Sequence, residues 1–312
     1  MSNKTASIII VTTAKEDYFK QCLDSVSLQS YPDKEIIIID NSGGNLPPGI
    51  QGGPGQKVYS ALENMSYCRS LNKGIEISRG DFILCLNDDA VLEKHFIEEA
   101  LEGFSINPRI GMVSGKIMRF DRKTLDSTGL FLTIFRTARE RGYGKSDAGK
   151  FEQEGYVFGV GGAVAFYRRS MLEDLKVDAE YFDNDFGYFY EDLDIAWRAE
   201  NSGWKGYYIP RAVAYHVRGG TARPRVGRGR RMARRYLSEA LHYDLLKNRY
   251  LTVIKNDSLP RFLLNLPFIV LYDIASWGFV LLFRPKLIKM VFSKRIPFAT
   301  AFRKRKILRT KK

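Results

Sequence analysis

Three apolar runs, each ending in polar residues and each set apart by a segment of helical spacing, constrain this chain most. Ser7-Ile8-Ile9-Ile10-Val11 is rich in β-branched residues and gives way to Thr12-Thr13. Glu35 to Ile39 ends in Asp40-Asn41-Ser42, and Phe82 to Leu86 ends in Asn87-Asp88-Asp89. Apolar runs without polar alternation mark strands covered on both faces, as in parallel sheets. Residues 16 to 29 place Phe19, Cys22, Leu23 and Val26 at helical spacing, and 67 to 78 and 93 to 105 also read as helices. The alternation predicts an α/β domain of right-handed βαβ units, with a mostly parallel sheet flanked by helices. In such sheets ligands bind outside the carboxyl ends of the strands, where all three polar clusters fall. One cluster alone reads as a helix cap or a turn. Three on successive strands point to a ligand site, with acids able to accept from a nucleoside or hold a divalent cation.

The net charge of +14 matters less than its placement. Eight arginines fall within Arg218 to Arg235 and twelve Lys/Arg within Arg284 to Lys312, and neither stretch contains an acid. Without these twenty charges, 29 bases face 35 acids, so the body is mildly acidic. A nucleic-acid binder would more often spread positive charge over its folded domain, so no nucleic-acid partner is expected. With 45% hydrophobic residues the chain can fill a core, which excludes wholesale disorder. Cys22, Cys68 and Cys85 fit neither a disulfide framework nor a zinc site, and buried thiols in a reducing compartment are expected. The opening MSNKTASIII lacks a secretory signal pattern, which places the domain on the cytosolic side.

Further along, strands are expected at 111 to 119, 163 to 168, 207 to 210 and 212 to 216, and helices at 191 to 202 and 234 to 254. Two glycine motifs are decoys. Gly144 to Lys150 resembles a phosphate loop but has Phe151 where a hydroxyl belongs, and Gly159-Val160-Gly161-Gly162 lacks the third glycine of a dinucleotide fingerprint. Tyr188 to Arg198 sets Glu191, Asp192 and Asp194 around a helix start behind three aromatics. Desolvation by those rings would raise a carboxylate's pKa and suit a general base. His216 ends an apolar strand just before the arginine-rich stretch, which favours phosphate or metal work.

Residues 262 to 283 are long and apolar enough to cross a bilayer, but Asn265, Pro267 and Asp273 interrupt them. An interfacial or re-entrant helix is expected, followed by a basic tail with Phe292, Phe298 and Phe302 that lies on an anionic membrane surface. This divides the chain into a domain over 1–255 and a membrane-associating appendage over 256–312.

Taken in order, these motifs resemble the family 2 inverting glycosyltransferases of the GT-A fold, particularly rhamnosyl- and galactofuranosyltransferase-like members, over about residues 5 to 255. Thr12, and Asp40 with Asn41, match the nucleotide-binding strand ends, and Arg69, Asn72 and Gly74 match the helix ahead of the metal motif. Leu86-Asn87-Asp88-Asp89 is similar to the DxD-type site with its first acid replaced, which leaves Asp88 beside the donor and the metal contact on Asp89. Gly161, Gly162 and Ala163 match the turn lining the sugar pocket, Glu191-Asp192 the motif supplying the catalytic base, and His216 a second metal ligand. The resemblance implies transfer of a sugar from a nucleoside-diphosphate donor to a glycan or lipid-linked acceptor at the cytoplasmic face of the membrane. Asp192 would act as base, Mg²⁺ or Mn²⁺ on Asp89 and His216 would screen the diphosphate, and the arginines of 218 to 235 would close over it. The rival readings are a sugar-phosphate nucleotidyltransferase, whose glycine-rich loop is missing after the first strand, and a basic nucleic-acid-binding protein, which leaves Asp40, Asp89 and Asp192 unexplained.

Overall fold

The computed structural model describes residues 4–14, 18–47, 50, 55–61, 63–217, 222–223, 228–229 and 237–311. Its amino-terminal half contains β1 (Ala6–Thr12), α1 (Tyr18–Ser27), β2 (Lys34–Asp40), β3 (Gln56–Ser60), α2 (Tyr67–Ile77) and β4 (Phe82–Asn87). The strands lie in the order β3-β2-β1-β4, all parallel, with Ile9 in register with Ile37 and Cys85. Alternate isoleucines serve opposite faces. Ile8, Ile10, Ile36 and Ile38 pack with Phe19, Cys22 and Val26 of α1, whereas Ile9, Ile37 and Ile39 pack with Leu71 and Ile75 of α2. Each fully buried side chain of this size contributes about 1.5–3 kcal/mol, which explains why the runs carry no polar alternation. A Cβ on Gly74 would collide with Ile9, so this glycine of the sequence motif serves helix–sheet packing. All three cysteines are buried and free.

Then follow β5 (Ala90–Leu92), α3 (Phe96–Ile106), β6 (Ile110–Arg119), β7 (Leu125–Ser127), β8 (Leu130–Leu132), β9 (Ala138–Glu140) and β10 (Gly155–Val157). After these come β11 (Val164–Arg168), α4 (Arg169–Leu175), α5 (Glu191–Asn201) and β12 (Lys205–His216). The sheet continues from β4 through β11, β6 and β12 to β10, with β11 antiparallel to both neighbours and β12 parallel to β6. It is therefore parallel in its amino-terminal half and mixed beyond. The two short strands expected at 207–216 are one strand with a register shift between Ile209 and Val213, around Pro210, which has no N–H to donate. β8 and β9 form a separate antiparallel hairpin.

Four helices close the chain: α6 (Glu239–Asn256), α7 (Leu259–Phe283), α8 (Pro285–Ser293) and α9 (Phe298–Thr310). Only Ile269, Ser276 and Val280 of α7 are buried, a single stripe, while Leu263, Leu264, Leu271, Ile274, Leu281 and Leu282 stay exposed. Asp273, which interrupts the apolar run, pairs with Arg249 of α6 at 2.7 Å, so its charge is compensated by the domain. The basic tail does not all lie outside the domain as expected. Its last helix returns to the core through Ala301 and buries Lys304 among Glu180 (3.0 Å), Asp183 (2.6 Å) and Asp185 (3.2 Å). The reason is electrostatic, since Asp183, buried ahead of α5, needs a charged partner, and Glu180 and Asp185 at its edge add to the attraction.

Candidate active site

A cleft of about 420 Å³ opens at the carboxyl ends of β1 and β4, where the sequence placed its polar clusters. Thr12 donates to Asp88 Oδ2 at 2.7 Å and ties the two strand ends together. Burial raises the Asp88 pKa, and the Thr12 hydrogen bond moderates the rise. Asn87 accepts from the Tyr67 hydroxyl at 2.9 Å, and the Tyr67 ring stacks on Tyr188 at 6.1 Å.

On one wall, pairing of β12 with β5 sets His216 opposite Ala90 and beside Asp89. Its Nε2 lies 3.1 Å from Asp89 Oδ1 and its Nδ1 2.8 Å from Asp126 Oδ2. Burial alone would lower the imidazole pKa, but the flanking carboxylates push it up to about 9. Asp89 and His216 thus meet as an ion pair at the rim of the cleft; a carboxylate and an imidazole that gives up its proton are donor types that could hold a divalent ion there. Asp126 fixes the His216 ring from its Nδ1 side, as an outer carboxylate would if the imidazole held a metal. Among the described residues no three His, Cys, Asp or Glu side chains converge on a metal position. A divalent ion held by Asp89 and His216 would therefore need further ligands from outside these side chains.

Another part of the wall is the start of α5. Asp192 Oδ1 accepts from the Leu193 N–H at 2.7 Å and Oδ2 from the Gly162 N–H at 3.2 Å. Beside it, burial and the charge of Asp192 push Glu191 up to about 8, and its Oε2 has no hydrogen-bond partner among the described residues. Cβ atoms on Gly161 and Gly162 would stand 3.0 Å from Glu140 Oε1 and 3.3 Å from Glu191 Oε1, so the glycine pair makes room for both acids. Ala163 lines the cleft and accepts from the Asn87 N–H at 2.9 Å. Phe189 and Tyr190, just before α5, both hold a φ of +70°, a left-handed conformation costly for aromatic residues. Asn248 of α6, fully buried, donates to the carbonyls of Tyr188 and Phe189, each at 2.8 Å, and holds this turn.

Thr12, Asn41, Asp88, Asp89, Gly161, Gly162, Ala163, Glu191, Asp192 and His216 thus line one cleft. Three expected donor contacts do not line it. Asp40, next to Asn41, turns its buried carboxylate to the Ser42 N–H (2.7 Å) and the Ser60 hydroxyl (3.3 Å). Arg69 is exposed on α2. Asn72 accepts from the N–H groups of Tyr181 (3.1 Å) and Phe182 (2.8 Å) and donates to the Phe182 carbonyl (2.7 Å), so it holds the chain leading to the acids rather than a ligand. The arginines of 218 to 235 lie outside the described residues, apart from the backbone of two short segments. Sequence reasoning missed Asp126 and Glu140. The Asp126-Ser127-Thr128-Gly129 run carries a turn-like polar signal, but Glu140 between two arginines carries none.

Residues 7–176, more than half of the chain, match the model of the family described as glycosyl transferase family 2, and the chain belongs to that family. It is similar to a poly-beta-1,6-N-acetyl-D-glucosamine synthase of Staphylococcus epidermidis, 24% identical over 213 residues, covering 67% of this chain and 49% of the relative. The Staphylococcus aureus protein of the same name is 23% identical over 212 residues, covering 64% and 47%. The chain therefore spans about half the length of these curated relatives. Among solved structures, GalNAc-T7 with UDP, GalNAc and Mn²⁺ aligns with a TM-score of 0.60 at 13% identity, over 81% of this chain and 48% of that one. The mannosyltransferase PcManGT of Pyrobaculum calidifontis with GDP-Man and Mn²⁺ gives 0.53 at 14% identity, over 100% and 86%. These likenesses show the fold, the GT-A architecture expected from the motifs.

Proposed function

We propose that the protein is an inverting glycosyltransferase that moves a sugar from a nucleoside-diphosphate donor to a hydroxyl of a glycan or lipid-linked acceptor. The observation that carries this reading is the meeting, in one cleft at the strand ends, of the hydrogen-bonded carboxylate of Asp192 with the Asp89–His216 pair. Asp192 takes the proton of the acceptor hydroxyl as that oxygen attacks the anomeric carbon, and the backbone N–H groups of Gly162 and Leu193 aim its carboxylate. Glu191 keeps its proton near neutral pH, so beside the diphosphate it adds no negative charge. Asp89 and His216 would hold Mg²⁺ or Mn²⁺, which when bound supplies Lewis-acid stabilisation of the departing diphosphate. Asn41 and Thr12 face the nucleoside end of the cleft, with Asp40 and Ser60 behind them.

Thermal unfolding tests the donor half. Nucleotide sugars with Mn²⁺ are expected to raise Tm, and Asp126→Asn to weaken Mn²⁺ affinity about 10- to 100-fold by loosening His216. No metal-dependent stabilisation by any nucleotide or nucleotide sugar would sink the assignment.

The same proposal places the enzyme on the cytosolic membrane face, as a monotopic protein. α7 is 25 residues with a mean hydropathy of 1.9 over its most apolar window, and 17% of that window is buried. One stripe packs on α6 and the other faces are left for lipid, which suits an interfacial helix better than a free span. Sedimentation with anionic vesicles is expected for the full chain and is expected to be lost in Leu264→Glu/Leu271→Glu. Equal sedimentation of both would end this placement.

A further inference from the structure

The β8–β9 hairpin links two regions that the reaction above leaves unused. Glu140, at its carboxyl end, lines both the catalytic cleft and a second cavity of about 620 Å³. Arg139, Arg141 and Lys145 wall that cavity together with Phe131, Tyr143 and Phe151. Among the described residues, none of these three cations is in an ion pair. Arg141 lies instead over the rings of Phe151 (5.5 Å) and Tyr208 (5.1 Å), which fixes its guanidinium.

The tip of the hairpin rests on α7. Phe135 meets the rings of Phe268 and Tyr272, both at 6.2 Å, and Arg136 donates to Asp257 at 2.7 Å and to the Arg261 carbonyl at 3.1 Å. Ile134 beside it is exposed. Catalytic cleft, basic aromatic cavity and exposed apolar helix therefore follow one another along a single short ribbon.

We propose that this hairpin is the acceptor platform and that the acceptor carries a phosphate or diphosphate group on an apolar chain. The anion sits on Arg139, Arg141 and Lys145, the chain runs toward α7, and the sugar hydroxyl reaches past Glu140 to Asp192. This rests on the glycosyl-transfer reading and narrows its acceptor. Three cations line this concave surface, and the Glu140 carboxylate turns away from it to Ser127 and Gly161 in the catalytic cleft. This leaves excess positive charge that a neutral glycan would not use, whereas phosphate oxygens accept charge-assisted hydrogen bonds from all three. A phosphate on a soluble sugar shares that chemistry, and the exposed face of α7 favours the lipid-borne one.

The test uses the full chain in detergent with its donor cleft filled by Mn²⁺ and UDP or GDP, whichever stabilises it. Farnesyl diphosphate, farnesol and glucose 1-phosphate are titrated into wild type, into Arg139→Gln/Lys145→Gln, which preserves the Arg141 stack, and into the triple variant with Arg141→Gln. The expected result is tighter binding of farnesyl diphosphate than of either control, weakened at least about tenfold in the double variant, with nucleotide stabilisation unchanged. Unchanged affinity in the variants, or displacement of farnesyl diphosphate by excess nucleotide, overturns the platform. Glucose 1-phosphate binding as tightly as farnesyl diphosphate overturns the lipid-borne acceptor. If neither nucleotide stabilises the wild type, the glycosyl-transfer reading itself fails, which is a separate result.

Discussion

Asp192→Asn is expected to bind nucleotide sugar as the wild type does and to transfer sugar about 10²- to 10⁴-fold more slowly, the usual contribution of a positioned base. The substitution keeps the shape of the side chain, and its single amide oxygen can accept from either the Gly162 or the Leu193 N–H, so the cleft keeps its outline. What disappears is the acceptor for the hydroxyl proton. Glu191 is a poor substitute near neutral pH, because burial and its charged neighbour hold its proton up to about 8. The checks are single-turnover transfer and, separately, the donor-induced rise in Tm. Near-normal turnover with intact donor binding would move the base elsewhere.

Lys304→Met is expected to destabilise the fold by about 3–5 kcal/mol, the usual cost of removing one partner from a buried ionic group. Lys304 and Lys255 bracket Asp183, and Lys255 also reaches Asp194 at 3.0 Å. Burial alone would raise the Asp183 pKa, but the two ammonium groups hold it well below the usual carboxylate range. A depressed folded-state pKa gives stability that is present above the ordinary carboxylate pKa and lost as pH falls below about 4. Denaturant unfolding should therefore show the variant weaker at pH 7 and closer to wild type in acid. A loss below about 1 kcal/mol at pH 7 would mean that α9 merely rests on the surface.

The parallel half of the sheet is legible because its strands are buried on both faces, and uninterrupted isoleucine has no other common explanation. β3 is not legible. It lies at the sheet edge with Tyr59 and Ser60 exposed, and neither period marks it. The return of α9 is hidden for another reason, since Lys304 looks like any lysine of a basic tail and its partners lie about 120 positions earlier. At the site, residues at strand and helix ends are visible because polar side chains break an apolar pattern there, as with Asp88, Asp89 and His216. Asn72 breaks a pattern too, yet its partners are the backbone of 181–182, and no spacing separates a carboxamide that holds protein from one that holds ligand.

The clamp on the left-handed turn has a mechanical consequence. Asn248 grips the carbonyls before α5, and the very next residue, Arg249, anchors Asp273 in the middle of α7. One helical turn of α6 is therefore the fulcrum between Asp192, the proposed base, and the most apolar helix of the described residues. A tilt of that element against α6 is felt one peptide away from the torsions that aim Asp192.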